Sequence, residues 1–351
     1  MAGGARPSSG HAAVPVGFFG TVSQGPVEAG ELARMEGVVG TLRIPVYWAG
    51  CEPSPGIYEF AGLDAEVGAA AERGIRVQPF VYGTPAAYSA DPLRPPLAGA
   101  ARGAWRKFLA ALVDRYGGHG SFWTGRARRE PVRIWQVWNE PNFGVFWQPR
   151  PDPAAYARLL AASAPVIRAA DRRAQVALAG VAPVGDGLPT WTFLRRLFRL
   201  RGVRRDFDLV SLHPYSASIA QLDYAIVKVR RVMVRAGLGA RPLLISELGV
   251  ASEGDAGSVF TKGRDGQARF LAGAFGRLLE MRSRWHLAGV DWFSLQDDTR
   301  FDPYCSFCQG SGLFEVDGAP KPAWSRFRHI ALSAVHGGRA RQAGLRYING
   351  R

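Results

Sequence analysis

The sequence predicts an α/β protein built as a single (β/α)8 TIM barrel. Short runs rich in β-branched and aromatic residues alternate with longer runs rich in alanine, leucine and arginine over most of the 351 residues. This alternation is typical of βαβ units around a parallel sheet. Eight such units in one chain of this length match the eight strands and eight helices of the barrel.

The main alternative is a doubly wound open sheet, and two observations disfavour it. No Gly-x-Gly-x-x-Gly turn follows the first β-rich run, whereas a dinucleotide-binding sheet needs one. Polar residues suited to chemistry also follow several different strands, and the carboxyl ends of the strands are where barrel enzymes build their sites. Both observations favour the barrel.

The elements follow one another in regular order. The eight β-rich runs place strands at 16–20, 39–45, 76–81, 132–137, 175–179, 207–212, 242–246 and 289–294. The intervening runs predict helices at 26–38, 62–73, 101–116, 153–170, 190–201, 219–236, 267–284 and 321–336. We see no internal repeat and no linker within this series.

Three regions are predicted along the chain. Residues 1–14 are rich in Gly, Ala, Ser and Pro, which indicates a flexible N-terminal tail. Residues 15–336 form the barrel, and 337–351 form a C-terminal extension. A Pro-rich loop at 86–99 is expected to overhang the rim. The tail lacks an apolar signal core, so the chain is either cytoplasmic or exported with its signal removed or omitted.

The charge balance is strongly basic, with 44 Lys and Arg against 29 Asp and Glu, a net +15. Such a charge attracts polyanions and anionic surfaces. The excess is arginine scattered over predicted helix faces without a nucleic-acid-binding motif, so we interpret it as solvated surface and expect no nucleic-acid partner. No run of about 18 apolar residues occurs, so no membrane span is predicted.

The three cysteines suggest no metal site. Cys305 and Cys308 form a lone C-x-x-C motif without the second pair that a structural zinc site needs. A loop disulfide and two free thiols are both favoured over metal. Cys51 is expected to be an unpaired thiol, and no cofactor is expected.

Two glutamates at strand ends are the most informative residues. The fourth strand runs into Asn139-Glu140-Pro141, and the seventh into Ser246-Glu247. A carboxylate at the mouth of a strand can meet a substrate, whereas one inside the strand is buried at high cost. Two carboxylates at one rim are what cleavage of a glycosidic bond requires.

Further side chains are expected at the same rim. Arg43 is on the second strand, His213 and Tyr215 follow the sixth, and Trp292 is on the eighth. Loop residues Trp147, Trp48 and Tyr82 are candidates to line a cleft, whereas Asp297 and Asp298 are expected to be loop hydrogen-bonders. Each has a plainer interpretation: His213 as a core histidine, Arg43 as a structural ion pair, and Trp292 as packing.

Several motifs together resemble the retaining glycoside hydrolases of clan A, with families 39 and 5 most similar. They are W-N-E-P-N at 138–142, H-P-Y at 213–215, I-S-E-L-G at 245–249, G-L-F at 312–314 and G-A-P-K-P-A-W at 318–324. The resemblance covers about residues 16–327. It implies that Glu140 is the general acid/base and Glu247 the nucleophile.

The resemblance also implies supporting roles. Arg43 would keep Glu247 ionised, Tyr215 would hydrogen-bond Glu247, and Asn139 would bind the sugar 2-hydroxyl. We further expect His213 to orient this group, Trp292 to offer an apolar face to the sugar ring, and Trp147 to extend that platform toward the leaving group.

The predicted function is hydrolysis of β-glycosidic bonds in an oligo- or polysaccharide by double displacement. A transglycosylase of cell-wall or exopolysaccharide metabolism and a non-catalytic carbohydrate-binding barrel are the alternatives. A monomer is expected, and the function favours an extracellular or cell-envelope location. The two carboxyl groups should lie about 5–5.5 Å apart.

Overall fold

Eight parallel strands form one sheet in the computed structural model, which describes residues 14–183, 186–299, 305 and 307–348, with side chains up to 335. The strands are β1 Phe19–Val22, β2 Thr41–Tyr47, β3 Arg76–Tyr82, β4 Ile134–Val137, β5 Gln175–Leu178, β6 Val210–Leu212, β7 Leu243–Leu248 and β8 Leu287–Phe293. All eight predicted strands are present.

The sheet curls into a nearly closed barrel. Its continuous ladder runs β5-β4-β3-β2-β1-β8-β7-β6, which leaves β5 and β6 at the two ends. These ends meet through isolated parallel bridges at Ala177–Leu209 and Val181–Leu212. The Leu178 amide donates to the Leu209 carbonyl at 3.1 Å. The predicted (β/α)8 barrel is therefore confirmed.

Helices occupy the segments between the strands. They are α1 Ala29–Met35, α2 Trp48–Cys51, α3 Ala61–Glu72, α4 Gly99–Tyr116, α5 Pro153–Ala170, α6 Thr190–Phe198, α7 Ile219–Arg235, α8 Gly263–Trp285 and α9 Pro322–Ile348. Each predicted helix has a counterpart, and the short α2 is additional. Single 3-10 turns lie at Val16–Phe18, Ser121–Trp123, Val203–Arg205 and Cys308–Gly310.

Local sequence explains where several elements begin. The Asp152 side chain caps α5 by accepting from the Ala154 amide at 2.8 Å, and Pro153 takes the first helical position; both residues suit a helix start. Residues 16–18, predicted as strand, instead form a turn in which the Phe18 amide donates to the Pro15 carbonyl at 3.0 Å. Strand β1 consequently begins at Phe19.

The boundaries of the predicted regions stay predictions. Residues 1–13 of the predicted tail fall outside the described residues. Helix α9 continues as one helix from Pro322 to Ile348, across the predicted boundary at 336. Among the described residues, no helix combines the length and apolarity needed to cross a membrane.

The core lies between the sheet and the helix layer. Phe19 of β1 stacks on Phe275 of α8, with ring centroids 5.9 Å apart, and Phe275 contacts Phe327 of α9 at 5.3 Å. On the other side, Trp105 and Phe108 of α4 are completely buried. This packing fixes the strands and leaves their carboxyl ends free to carry a site.

Candidate active site

A cavity of about 430 Å³ opens at the carboxyl ends of the strands. Asn139, Glu140, Tyr215 and Glu247 lie on its wall. These four residues come from the ends of β4, β6 and β7, so the barrel brings together side chains that lie far apart in sequence. Arg43 and His213 are fully buried directly behind them.

Glu247 is held by two donors. Arg43 Nη1 donates to its Oε1 at 2.6 Å, and the Tyr215 hydroxyl donates to its Oε2 at 2.6 Å. Burial, with the charge of Glu247, raises the pKa of Tyr215 well above its usual value, so the phenol stays protonated and donating. Both oxygens of Glu247 thus receive hydrogen bonds suited to a carboxylate anion.

Arg43 is only 1% exposed and links three strands. Its Nη2 donates to Asn139 Oδ1 at 3.0 Å, and its Nε and Nη2 both lie 3.4 Å from Gln136 Oε1. The guanidinium also sits 3.9 Å from the ring centroid of Phe80, a favourable cation–π arrangement. The arginine therefore cannot move away from Glu247 without losing several contacts.

His213 joins the two glutamates. Its Nδ1 lies 2.7 Å from Glu140 Oε1 and 3.4 Å from Glu247 Oε2. Burial, and secondarily the charge of Arg43, hold the pKa of His213 well below its ordinary value, so the ring is neutral. Its Nε2 is buried without a hydrogen-bond partner among the described residues. A proton there would be an unpaired donor, so the favoured tautomer donates from Nδ1 to Glu140.

Gly180 makes room for this imidazole. A Cβ atom on Gly180 would lie 1.9 Å from His213 Nε2, closer than atoms can approach. The Gly180 carbonyl also accepts from the Glu140 amide at 3.1 Å. One glycine at the end of β5 thus positions the backbone of Glu140 and the ring that contacts its carboxylate.

The backbone around Glu140 is strained. Trp138 and Glu140 have φ values of 71° and 36°, a region that side chains other than glycine adopt at a cost of about 1–3 kcal/mol each. The buried indole of Trp138 compensates by packing against Trp105 and Trp147 and donating to the Phe146 carbonyl at 2.6 Å. The kinked segment directs Glu140 into the cavity.

One oxygen each of Glu140 and Glu247 and a nitrogen of His213 lie within 4.8 Å of one another. That spacing is close enough for three ligands of one divalent cation. Arg43 already supplies a positive charge to Glu247 at 2.6 Å, and a second cation there would be repelled. The expectation that no metal is used remains a prediction.

Trp292 does not reach the cavity. Its indole is 0% exposed, packs against Phe270 and Phe275 of α8, and donates to the Ser311 carbonyl at 3.0 Å. Side chains alternate between the two faces of a strand, and the next residue, Phe293, lines the cavity instead. The prediction that Trp292 offers an apolar face to the sugar ring is therefore wrong, because its indole lies on the side of β8 that packs against α8.

Trp147 and Trp48 also belong to the core. Trp147 is packed between Trp138 and Tyr156, and Trp48 is stacked on Tyr88. Both indoles are buried and neither lines the cavity. The predicted extension of the platform by Trp147 is wrong, because the loop after β4 turns this side chain inward.

The remaining predictions for the rim have mixed outcomes. Tyr82, a candidate to line the cleft, lies on the cavity wall. Residues of the loop 86–99 line a separate groove and are not part of this cavity wall. Asp297 accepts from the Gly312 amide at 2.8 Å and pairs with Lys321 at 2.5 Å, as expected for a loop hydrogen-bonder.

The cysteines resolve one open alternative. Cys305 and Cys308 form a disulfide, with their Cα atoms 5.5 Å apart, and both line the cavity. Cys51 is a free thiol, and burial raises its pKa to about 11. This thiol therefore stays protonated at neutral pH.

Sequence reasoning missed most of the apolar cavity wall. Its members are aromatic or aliphatic side chains of the last residue of β8 and of the loops after β4, β5, β7 and β8. They include Phe143, Val145, Phe146, Ala182, Pro183, Phe260, Phe293 and Phe307. Isolated apolar residues in loops carry no periodic signal, so the sequence did not distinguish them from packing residues.

Asp291 forms a second buried acidic position inside the barrel. It is 1% exposed, and Thr41 Oγ1 donates to its Oδ1 at 3.3 Å. A Cβ atom on Gly20 would lie 1.8 Å from that oxygen, so a glycine is required opposite. Burial raises the pKa of Asp291 to about 8, although the charge of Arg43 opposes the rise.

Replacing Asp291 with asparagine is expected to remove a pH-dependent loss of stability. The carboxyl is protonated when folded up to pH about 8 but ionises near 3.8 in the unfolded chain. Unfolding between these values releases a proton, so the wild-type stability falls as pH rises, by about 1.4 kcal/mol per pH unit from this group. Unfolding free energies of both proteins in urea from pH 5 to 8 measure the effect.

The exposed Asp265 on α8, changed to asparagine, is the matched control for this comparison. The stability of Asp291→Asn relative to wild type should increase steadily over that range, whereas Asp265→Asn should run parallel to wild type. A pH-independent difference for Asp291→Asn would show that the buried carboxyl is ionised in the folded protein.

Several solved structures share the fold of this chain. No protein-family profile matches the chain, and no curated protein matches it in sequence. A family 39 glycoside hydrolase from Bacteroides cellulosilyticus WH2 superposes with a TM-score of 0.66 at 21% identity, covering 92% of this chain and 64% of its own. This chain therefore spans somewhat under two thirds of that protein.

Two further solved structures share the barrel. A monomeric beta-xylosidase from Caulobacter crescentus CB15 has a TM-score of 0.67 at 20% identity, covering 91% of this chain and 69% of its own. A GH5_18 protein from Bifidobacterium longum subsp. longum ATCC 55813, in complex with Manb1-4GlcNAc, has a TM-score of 0.66 at 17% identity, covering 87% and 72%. The fold is thus shared with members of both families that the motifs resemble.

Proposed function

We propose that the protein is a retaining glycoside hydrolase that cleaves β-glycosidic bonds by double displacement. The observation that carries the proposal is the pair Glu140 and Glu247, whose nearest oxygens lie within 4.8 Å of each other. Retaining enzymes hold their two carboxyl groups about 5–5.5 Å apart, whereas inverting enzymes need about 6.5–9.5 Å to admit a water. The solved glycoside hydrolases that share the barrel support the same reaction class.

Glu247 is suited to act as the nucleophile. Its carboxylate must be ionised to attack the anomeric carbon and form a glycosyl-enzyme ester. The buried guanidinium of Arg43 donates to this carboxylate at 2.6 Å and supplies the opposite charge. When the ester forms, the negative charge on Glu247 is lost, and the oxygen that is not bonded to the sugar keeps its own donor, which is Arg43 for Oε1 or Tyr215 for Oε2.

Glu140 is suited to act as general acid and then as general base. It donates a proton to the leaving oxygen in the first step and takes one from water in the second. The neutral His213 orients this carboxylate through a 2.7 Å contact without adding a positive charge. A charged imidazolium there would favour the ionised form of Glu140 and hinder the first step.

Asn139 is suited to bind the sugar. Its Oδ1 accepts from Arg43 at 3.0 Å, which orients the amide and assigns Nδ2 to the opposite side of the group. That nitrogen is available to donate to a sugar 2-hydroxyl, an interaction that strengthens in the transition state. The role expected from the resemblance is thus compatible with the observed hydrogen bonding.

Product stereochemistry tests this proposal. Nitrophenyl β-glycosides of several sugars should be screened, and the first-formed sugar from any substrate should be followed by proton NMR. Retention predicts that the β-anomer appears first and then mutarotates. Early release of the α-anomer would contradict double displacement, and glycan binding without turnover over the panel would instead support a non-catalytic barrel.

Product analysis with an added acceptor sugar separates hydrolysis from transglycosylation. Both reactions would use Glu140 and Glu247, and they differ in whether water or a second sugar attacks the ester. Adding a high concentration of an acceptor sugar and analysing the products decides between them. A product longer than the substrate that dominates at all acceptor concentrations would assign the protein as a transglycosylase.

A further inference from the structure

The wall next to Glu140 is apolar throughout its described part. The loops after β4 and β5 contribute Phe143, Val145, Phe146, Ala182 and Pro183 to the cavity, here called the apolar wall. Val184 and Gly185 lie beyond the described residues. Among the described cavity residues from these two loops, none besides the motif residues Asn139 and Glu140 carries a polar side chain.

The apolar wall lies on the side where the leaving group must bind. Glu140 has to reach the oxygen of the bond that breaks, so the group beyond that oxygen lies next to Glu140. Phe143 is three residues after Glu140, in a turn closed by a hydrogen bond from the Phe143 amide to the Glu140 carbonyl at 2.9 Å. Phe146 continues the surface, with its ring centroid 6.3 Å from that of Phe143.

The apolar wall is preformed by buried hydrogen bonds. Asn142 is completely buried, and its Nδ2 donates to the carbonyls of Ala182 and Leu188, each at 2.9 Å. A bridge between Phe143 and Gly187 joins the same two loops. The amide of Asn142 is thus used to hold the two loops together, and the aromatic rings face the cavity half-buried.

We infer that the substrate is the β-glycoside of an apolar alcohol, one with a hydrocarbon chain or ring next to the glycosidic oxygen. The inference rests on the proposed glycosidase function and names the leaving group, in place of the oligo- or polysaccharide expected from the sequence. Cleavage moves the proton of Glu140 to the alcohol oxygen, and water later supplies a hydroxyl to the sugar and returns a proton to Glu140.

The physical reason is desolvation. A second sugar against this wall would turn hydroxyl groups toward phenylalanine, valine and proline, and a hydroxyl removed from water without a partner weakens binding. A hydrocarbon loses no hydrogen bonds there, and each methylene that it buries strengthens binding. Ser23 and Gln24 also line the cavity, but they follow β1, three strands away from β4 in the sheet order. Tyr82, at the end of β3, is the polar side chain beside the apolar wall, with its ring centroid 6.4 Å from that of Phe146.

A series of alkyl glycosides tests the inference. Once a reactive sugar is found with nitrophenyl glycosides, kcat/KM is measured for its methyl, propyl, butyl and hexyl β-glycosides and for its β-linked disaccharides. We expect kcat/KM to rise about tenfold from methyl to butyl, since partial burial gives about twofold per methylene. The disaccharides should be poorer substrates than the butyl glycoside.

Variants of the apolar wall locate the effect. In Phe146→Ser and in Phe143→Ser, the ratio of kcat/KM for the butyl glycoside to that for the glycosyl fluoride, which has no organic leaving group, should fall several-fold. Val316→Ser, at an exposed site away from the cavity, is the matched control and should keep the ratio of the wild type. Circular dichroism before each assay checks that the variants are folded.

The outcomes separate this inference from the proposed function. A flat alkyl series, or a disaccharide cleaved faster than the butyl glycoside, overturns the apolar leaving group while the glycosidase assignment stands. Absence of hydrolysis over the whole nitrophenyl panel overturns the proposed function and this inference together. An alkyl preference that persists unchanged in both wall variants shows that the hydrocarbon binds elsewhere and also overturns the inference.

Discussion

Glu247→Ala is expected to lower kcat/KM on β-glycosides by about 10⁴-fold or more, and added sodium azide should restore much of the lost rate. The variant has no atom that can attack the anomeric carbon from the face of Glu247. Azide is small enough to occupy the space of the missing carboxylate. It would attack from that face and yield the α-glycosyl azide, which NMR identifies.

The surroundings of Glu247 add a stability effect to the same variant. Removing the carboxylate leaves the buried guanidinium of Arg43 without its 2.6 Å partner, and breaking a buried ion pair in this way costs about 3–5 kcal/mol. Arg43 keeps its contacts with Asn139, Gln136 and Phe80. Azide should bind beside the unpaired cation and raise the melting temperature of Glu247→Ala more than that of wild type.

The exposed Glu253, changed to alanine, is the matched control for this experiment. It follows β7 by a few residues but lies outside the cavity wall, so Glu253→Ala should retain turnover and show no acceleration by azide. Near-normal hydrolysis by Glu247→Ala without azide, or formation of the β-glycosyl azide, would refute the nucleophile assignment.

Glu140→Gln is expected to lose about 10²–10⁴-fold in kcat/KM on substrates with poor leaving groups, the usual contribution of a general acid. The loss should shrink for dinitrophenyl glycosides, because their leaving oxygen departs without a proton. Glutamine preserves the shape of the side chain, and its amide oxygen can still accept from His213 Nδ1. The loss of rate in Glu140→Gln therefore measures the contribution of the transferred proton, without a change in packing.

Two further measurements identify Glu140 in this role. The basic limb of the pH profile of kcat/KM should disappear in Glu140→Gln, because the group whose deprotonation stops the first step is gone. Azide should react with the accumulated ester and give the β-glycosyl azide, the opposite anomer to that from Glu247→Ala. An equal loss on every leaving group would argue that Glu140 has a structural role only.

The sequence was sufficient to predict those site residues whose position depends only on the order of strands in the barrel. Glu140 and Glu247 end parallel strands, and parallel strands end at the same rim, so their meeting follows once the barrel is accepted. Arg43, Asn139, His213 and Tyr215 followed from strand ends and from the resemblance. The structure places all six at one centre, and their assigned roles remain to be measured.

Trp292 shows why neighbouring positions were harder to predict. Its assignment depended on which face of β8 each side chain occupies, and one residue of slippage reverses the faces. The pairing of β7 with β8 is irregular between Ile245 and Leu248, just before the rim. Such irregularities follow from tertiary packing and leave no mark in the sequence of either strand.

Interior polar residues were missed for a different reason. Gln136 and Asp291 lie within apolar strands, where a polar side chain has no local partner that a sequence pattern can reveal. Their partners, Arg43 and Thr41, come from β2. The glycine that makes room for Asp291 is on β1, and only the three-dimensional arrangement connects these positions.

Arg43 has a consequence for how the charged centre forms during folding. Its partners Gln136 and Glu247 lie 93 and 204 residues further along the chain, so the charged centre requires distant parts of the polypeptide to meet. Contacts of such long sequence separation form only after a large loss of chain entropy. The proposed activity is therefore expected only from the completed barrel, and fragments of the polypeptide that retain helices or strand pairs should lack it.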